Sequence, residues 1–499
     1  MKAFRKNARA VFAVTLALFA LLSGYFVYAL RTYGTRWQTN PYNVRVQNQK
    51  SAVIAGDIKD RNGIVLVTSD AEGGRVYANS RTLRKALAHV TGDNYGLTST
   101  GAESFFANYL LGMDNGLFDT IGKVFSSEKQ RGSDVVLTVD AELTKYAYGL
   151  LSDYAGGAIV VMNYKTGEIL VMTSSPSFDP ETADEYLPDE EGNAKEDDGA
   201  LVNRATAGQY TPGSVFKIIT AAAAIRYLPN AMDLTLSCGG PLAFDKQTGA
   251  FLEAVDITPE EDKRNRSDPD YVPEYLLVRD YQSSYHDELT LKQAFAKSCN
   301  VSFARLSMML GSDKIASMAR SFGIREDFTF PDVALYSSSY VKGKNQYETA
   351  WSAVGQHKDI LTPLNLCMIS AAIANDGAMM EPKLLKRVVN SSNYITASLQ
   401  TAVYATPLTK DEAALMRELM QAVVESGTGT AAKISGYTVC GKTGTAQTGK
   451  AEDDAWFTGF VYDDDHPYAI AVIVEQGGSG GGTAAPIAKK VLKKAIELG

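Results

Sequence analysis

Residues 209–219 read Gln-Tyr-Thr-Pro-Gly-Ser-Val-Phe-Lys-Ile-Ile, QYTPGSVFKII. Pro212 and Gly213 break whatever precedes them, and an apolar run follows from Val215 to Ala224. Thr, Pro and Ser are residues that open helices, so the pattern predicts a helix over 214–227 that starts at Ser214. Residues three apart share a helix face, which brings Lys217 towards Ser214. A serine at a helix start also has backbone N–H groups and the positive end of the dipole beside any oxyanion formed there. The stretch is therefore either a helix cap or a nucleophile with its base. The string alone does not decide, because Ser126 to Lys129 and Ser339 to Lys342 repeat Ser-x-x-Lys.

A serine nucleophile needs a base. The four histidines, His89, His286, His357 and His466, lie in polar or turn-like sequence, and no Gly-x-Ser-x-Gly elbow surrounds Ser214, which argues against a Ser-His-Asp triad. Lysine can serve if burial or a neighbouring cation keeps it neutral. Partners appear downstream. FAKSCNVSF (295–303) supplies Ser298 and Asn300, and CGKTGTAQ (440–447) supplies Lys442, Thr443, Gly444 and Thr445. Lys165-Thr166-Gly167 and Ser391-Ser392-Asn393 repeat parts of these strings, one at a hairpin turn and the other in a polar stretch. Only the set at 214, 298 and 442 combines the order S-x-x-K, S-x-N, K-T-G with a helix start, a helix end and a strand.

The rest of the chain sets the context. A net charge of −8 over 499 residues argues against a nucleic-acid binder. MKAFRKNAR carries Lys2, Arg5, Lys6 and Arg9 ahead of an uncharged stretch, 10–30, about the ~20 residues needed to cross a bilayer. The positive-inside rule places residues 1–9 in the cytoplasm and the remainder outside. A cleaved signal peptide is the alternative, although YFVYALRTYG fits its small-x-small cleavage pattern poorly. Cys238, Cys299, Cys367 and Cys440 lie far apart with no C-x-x-C, so no zinc site is expected. Export permits disulfides but does not pair them.

Past the anchor, a polar segment runs to about residue 50, and 51–69 reads as strand, turn, strand around Asn62-Gly63. Residues 81–130 read as helical and loop-rich. A strand followed by a helix start at Asp140 marks a boundary near 132, and 157–174 reads as a hairpin. Helices are expected over 214–227, 290–310, 362–376, 410–425 and from about 486 to 498. Strands return in YTVCGKTGTAQT, AWFTGFVY and PYAIAVIVE. The acidic, proline-punctuated segments 180–203 and 255–285 read as solvated loops. The Gly-rich stretch 477–485 lacks a phosphate-loop pattern. Strands at both ends with helices between predict an α+β domain whose sheet gathers distant segments.

The ordered set S-x-x-K, S-x-N, K-T-G is the signature of penicillin-binding proteins and β-lactamases, and with its anchor the chain resembles a class B penicillin-binding protein. Further family-like strings are GDIKDRNG (56–63), LTVD (137–140), Gly355-Gln356 followed by TPL (362–364), ANDG (374–377), GTGTA (427–431) and AWFTGF (455–460). Ala55 departs from the arginine usual before the first of these glycines.

The resemblance implies an antiparallel sheet with helices on both sides, residues 132–499, carried on an anchor (10–30) and an N-terminal pedestal module (31–131). It implies a membrane-anchored peptidoglycan D,D-transpeptidase inhibited by β-lactams. Ser214 would attack the carbonyl between two terminal D-alanines, and Lys217 would take its proton. Lys442 would help keep Lys217 neutral, while Ser298 and Asn300 would relay a proton and hold the substrate amide. Lys442, Thr443 and Thr445, on the strand of Gly444, would bind the terminal carboxylate. The backbone N–H groups of Ser214 and Thr445 would form the oxyanion hole. Stem peptides, the membrane and a glycan polymerase would be its partners, and no metal or organic cofactor is implied. A D,D-carboxypeptidase and a β-lactam sensor or scaffold are the alternatives.

Overall fold

Thr362 to Gly377 shows how local signals build the centre of the molecule. The Thr362 hydroxyl accepts the Asn365 N–H at 3.4 Å, and Pro363 takes the first helical turn, where its missing N–H costs nothing. The apolar run forms the helix Pro363–Ala374, buried along its whole length. Gly377, at φ 92°, donates its N–H to the Ala372 carbonyl at 2.8 Å and turns the chain away. This computed structural model describes residues 2–38, 50, 53–113, 130–187, 199–281, 284–325 and 330–499.

The buried helix packs on a five-stranded antiparallel sheet. In spatial order its strands are Val439–Ala446, Asp454–Val461, Tyr468–Glu475, Gly156–Asn163 and Ile169–Ser175. Successive strand side chains point to opposite faces. Val160 and Met162 join the core that holds Ile369 and Ile373, whereas Ile159 and Val161 pack with Leu143, Ile487, Val491 and Leu492. The helices Ala141–Gly149 and Ala485–Leu498 thus cover the second face. The sheet has helices on both sides, as the resemblance implies, and unites strands from residues 156–175 and 439–475.

A six-stranded sheet links the start of the chain to this body. It runs Ile395–Ser398, Leu385–Val389, Asp134–Leu137, Ile58–Lys59, Val65–Ser69, Arg75–Tyr77, so strands from either side of residue 132 pair directly. Beside Gly56, where Ala55 lacks a cation, Arg75 donates to the Gly56 carbonyl at 2.9 Å and pairs with Glu103. At the N-terminus Lys2–Gln38 is one helix, of which Val11–Ala29 is long and apolar enough to cross a membrane. Much of the polar segment before residue 50, and 114–129 with the Ser126 string, lies outside the described residues.

Several expectations need correction. The segment 255–285 is not simply a solvated loop: it contains the helix Pro259–Ser267, the strand Leu276–Val278 and the buried Asp262 and Asp280. Within 180–203, Pro180–Tyr186 is a 3₁₀ segment whose Pro180 and Ala183 are buried. The expected helix over 290–310 is two helices, Leu291–Lys297 and Asn300–Leu310. His89 is buried against Phe178 rather than in polar surroundings, and burial pushes its imidazole down to about 3.

Candidate active site

Ser214 does not cap a helix. It lies inside the 3₁₀ turn Gly213–Phe216, and the α-helix begins at Lys217. In a 3₁₀ turn residues i and i+3 eclipse, which sets the Lys217 Nζ 3.1 Å from the Ser214 hydroxyl. Gly213 makes the tight turn possible. Its φ is +56°, and a Cβ there would meet the Thr445 carbonyl oxygen at 2.6 Å.

The break between the next two helices supplies the second wall. Ser298 ends Leu291–Lys297 in the left-handed region, φ 59° and ψ 34°, and the Cys299 sulfur accepts the Ser302 N–H at the start of Asn300–Leu310. From this turn, the Ser298 carbonyl accepts from Lys217 Nζ at 2.5 Å and the Asn300 Oδ1 at 2.7 Å. The Ser298 hydroxyl lies 3.3 Å from Lys217 Nζ and 2.9 Å from Lys442 Nζ. It bridges the two lysines.

The third wall is Val439–Ala446, an edge strand of the five-stranded sheet. The Thr445 carbonyl accepts from the Gln356 side-chain amide at 3.0 Å, so it points off the ladder. In an antiparallel strand a residue's N–H and C=O face the same side, so the Thr445 N–H also faces the Ser214 turn. The Thr443 hydroxyl lies 2.5 Å from that of Thr428, and the Thr445 hydroxyl accepts from the Gly480 N–H at 3.4 Å. Gly480 belongs to the Gly-rich stretch, where a Cβ would run into the Gly444 and Trp456 carbonyls. That stretch serves as a close-packed brace behind Gly444.

Electrostatics follow from burial. Lys217 and Lys442 are both fully buried. Burial pushes Lys217 down to about 8, opposed by the negative charges of Asp280 and Cys299. Burial, then the charge of Lys217, holds Lys442 well below the usual lysine range. Two ammonium groups cannot share one hydroxyl in so dry a place without cost. A buried lysine that gives up its proton more readily than usual, a serine hydroxyl and a free strand edge are the parts of an acyl-transfer site.

Comparison with known proteins agrees. The model of the penicillin binding protein transpeptidase domain matches residues 157–227 and 256–493. The chain belongs to this family. It is a class B penicillin-binding protein. Its sequence is 29% identical over 488 residues to the peptidoglycan D,D-transpeptidase PbpA of Mycolicibacterium smegmatis, covering 93% of each chain. Its fold matches the imipenem acyl-enzyme of penicillin-binding protein A from M. tuberculosis with a TM-score of 0.74 at 26% identity, over 90% of this chain and 100% of that one. A D,D-transpeptidase domain from Eggerthella lenta matches with a TM-score of 0.72 at 29% identity, over 90% of this chain and 99% of that one.

The repeated strings of this penicillin-binding protein fall elsewhere. Lys342 pairs with Asp313, Lys165 with Asp464 at 2.5 Å, and Ser391 to Asn393 form an exposed turn. Three further residues of the family-like strings stand around the site, and Gln356 and Trp456 among them read from the sequence as structural. Thr428 lies in the GTGTA string, and Gln356 and Trp456 brace the strand and the turn, the indole N–H meeting the Thr211 carbonyl at 3.1 Å. Asp280 carried no signal: its acidic loop reads as solvated, yet its Oδ1 accepts the Asn300 backbone N–H. None of the four cysteines is in a disulfide. Distance along the chain misled for two of them, since Cys238 and Cys299 meet Asp280 and His286 in one cluster with ligand atoms within 4.8 Å of one another.

Proposed function

We propose that this class B penicillin-binding protein cross-links peptidoglycan as a serine D,D-transpeptidase, with Ser214 as the acylated nucleophile. The observation that carries the assignment is the reach of one buried amine: Lys217 Nζ lies within hydrogen-bond distance of Ser214, Ser298 and Asn300. As Ser214 Oγ adds to the penultimate D-alanyl carbonyl, its proton passes to neutral Lys217. The oxyanion lies against the N–H groups of Ser214 and Thr445. The tetrahedral adduct collapses as the terminal D-alanine leaves as an amine, protonated from Lys217 through the Ser298 hydroxyl. Lys442, Thr443 and Thr445, along the strand that carries Gly444, take the departing carboxylate. Asn300 holds Lys217 and the substrate amide. An amine from a neighbouring stem then attacks the ester, returns its proton along the same path and leaves the cross-link.

The apolar helix at the N-terminus supports membrane anchoring. We assign residues 1–9 to the cytoplasm, 10–30 to the anchor, 31–131 to a pedestal and 132–499 to the extracytoplasmic transpeptidase domain. A membrane glycan polymerase would supply the nascent strand.

Labelling of the full-length protein with a fluorescent penicillin tests the nucleophile. Wild type should form a long-lived adduct that maps to the peptide containing Ser214, and Ser214→Ala should not. No adduct on folded wild type would overturn the assignment. With lipid-linked glycan and a polymerase, cross-linked dimers are expected; trimmed stems without dimers would make it a D,D-carboxypeptidase.

A further inference from the structure

We propose that Phe303 is a positioning residue for acyl transfer, its ring face taking up the positive charge that reaches Lys217 when the serine proton moves. The inference rests on the reading of Ser214 and Lys217 as nucleophile and base. Phe303 lies three residues after Asn300 in the helix Asn300–Leu310, so the two share a face. Asn300 Oδ1 accepts from the Lys217 nitrogen at 2.7 Å, and that nitrogen lies over the Phe303 ring, 5.6 Å from its centroid. Phe295, three residues before Ser298, repeats the arrangement. The Lys442 nitrogen is 2.9 Å from the Ser298 hydroxyl and 5.8 Å from the Phe295 centroid. With 6.1 Å between the two centroids, one aromatic floor serves both amines.

The hydrogen-bond partners of Lys217 do not supply a counter-charge. Its nitrogen meets the Ser214 hydroxyl, the Ser298 carbonyl and hydroxyl and the Asn300 side chain, all of them neutral. The charges that act on it come from Lys442 on the edge strand and from Asp280 and Cys299 beside the turn. An aromatic face is the negative part of the ring quadrupole and attracts a cation within about 6 Å of the centroid, more strongly once water is excluded. Lys217 and Phe303 are both fully buried. An aliphatic side chain of similar bulk would fill the space without that attraction.

The ring acts in a definite direction. The Ser214 O–H bond breaks as Oγ bonds to the acyl carbon, and the proton forms an N–H bond on neutral Lys217, which becomes an ammonium. The ring face stabilises that ammonium and the transition state leading to it, and so works against the burial that pushes Lys217 down to about 8. Weakening the face therefore has two opposite effects. More Lys217 is neutral at low pH, which speeds acylation there, while each neutral Lys217 is a weaker base, which slows it once all are neutral.

Fluorination tests this, because each fluorine weakens the negative face while the ring nearly keeps its shape. In full-length protein Phe303 is replaced by mono-, di- and trifluorophenylalanine, and acylation by a chromogenic cephalosporin is followed from about pH 6 to 9.5. A desolvated cation–π contact is worth up to roughly thirtyfold in an equilibrium. The trifluoro protein should therefore move the midpoint of the profile down by about one pH unit. It should also lower the plateau roughly threefold and raise the rate below about pH 7 by a similar factor. The profiles should cross, and the shift should grow with fluorine number. Trifluorophenylalanine in place of Phe178, buried in a separate cluster, should leave the profile where it is. The proposal is overturned by a series without a trend, by a uniform fall at every pH, or by an equal shift at Phe178. Wild type that forms no adduct overturns the assignment of Ser214, and this inference with it.

Discussion

Lys442 and Ser298 meet at 2.9 Å, an amine on an edge strand against a hydroxyl on a helix break, 144 residues apart in the chain. The same hydroxyl is within 3.3 Å of Lys217. The Ser298 hydroxyl thus stands between the two buried amines, where the proposed mechanism needs a proton relay. Ser298→Ala should lower the acylation rate constant about 10²–10⁴-fold, the range for lost general acid–base catalysis. Stopped-flow measurement with a chromogenic cephalosporin gives the number, and a loss of less than threefold would remove Ser298 from the relay.

The pH dependence has a definite sign. Burial sets Lys217 near 8, and only its neutral form can take the serine proton. Acylation should rise with pH, about tenfold per unit well below 8, and level off above it. A flat profile between pH 6 and 9 would show that Lys217 is not the titrating base.

Stability carries the same sign. Lys217 and Lys442 both have folded values below 10.5, the ordinary value, so the unfolded chain binds more protons in the interval between. Their contribution therefore makes stability rise as pH climbs from about 8 towards 10.5. Lys217→Met should weaken this slope. Thermal unfolding of the two proteins across that interval is the measurement, and equal slopes would contradict the burial argument.

Gly213 couples the turn to the strand. At φ +56° with the Thr445 oxygen 2.6 Å from where a Cβ would lie, Gly213→Ala pays both backbone strain and a clash. About 1–3 kcal/mol is expected for the strain alone, so the melting temperature should drop and acylation should fall more than stability does. An alanine variant that labels with penicillin at the wild-type rate would show that the two walls need not touch.

The parts legible in the sequence are those set by local signals. The buried helix announced itself through Thr362-Pro363 and Asn375-Asp376-Gly377, and the late strands through their apolar runs. Three short strings in a fixed order single out Ser214, Lys217, Ser298, Asn300 and Lys442, and the structure brings these residues within hydrogen-bond distance of one another. What stayed hidden is what tertiary pairing creates. Ser214 and Lys217 look like a helix start, yet contact with Thr445 and Gly355 favours a 3₁₀ turn. Asp280 sits in sequence that looks solvated, and only the strand pairings Asp287 with Cys238 and Leu242 with Val278 fold that loop onto the site. No spacing rule joins cysteines 61 residues apart.

Gln356 offers a test of the oxyanion geometry that leaves every reacting group in place. Its amide donates to the Thr445 carbonyl at 3.0 Å and so fixes the edge of the strand that faces Ser214. One such hydrogen bond contributes about 1 kcal/mol to stability, and the half-buried position of Gln356 keeps the cost of losing it near that value. Loss of a whole oxyanion donor costs about 10²–10³ in rate, and a donor that is merely misaligned should cost less. Gln356→Leu is therefore expected to lower acylation roughly tenfold, below that donor-loss range, while the melting temperature moves little. The dissociation constant for penicillin before acylation should change less than the acylation step, because the hole is used in the transition state. Equal loss in both, or a large drop in melting temperature, would make Gln356 a packing residue only.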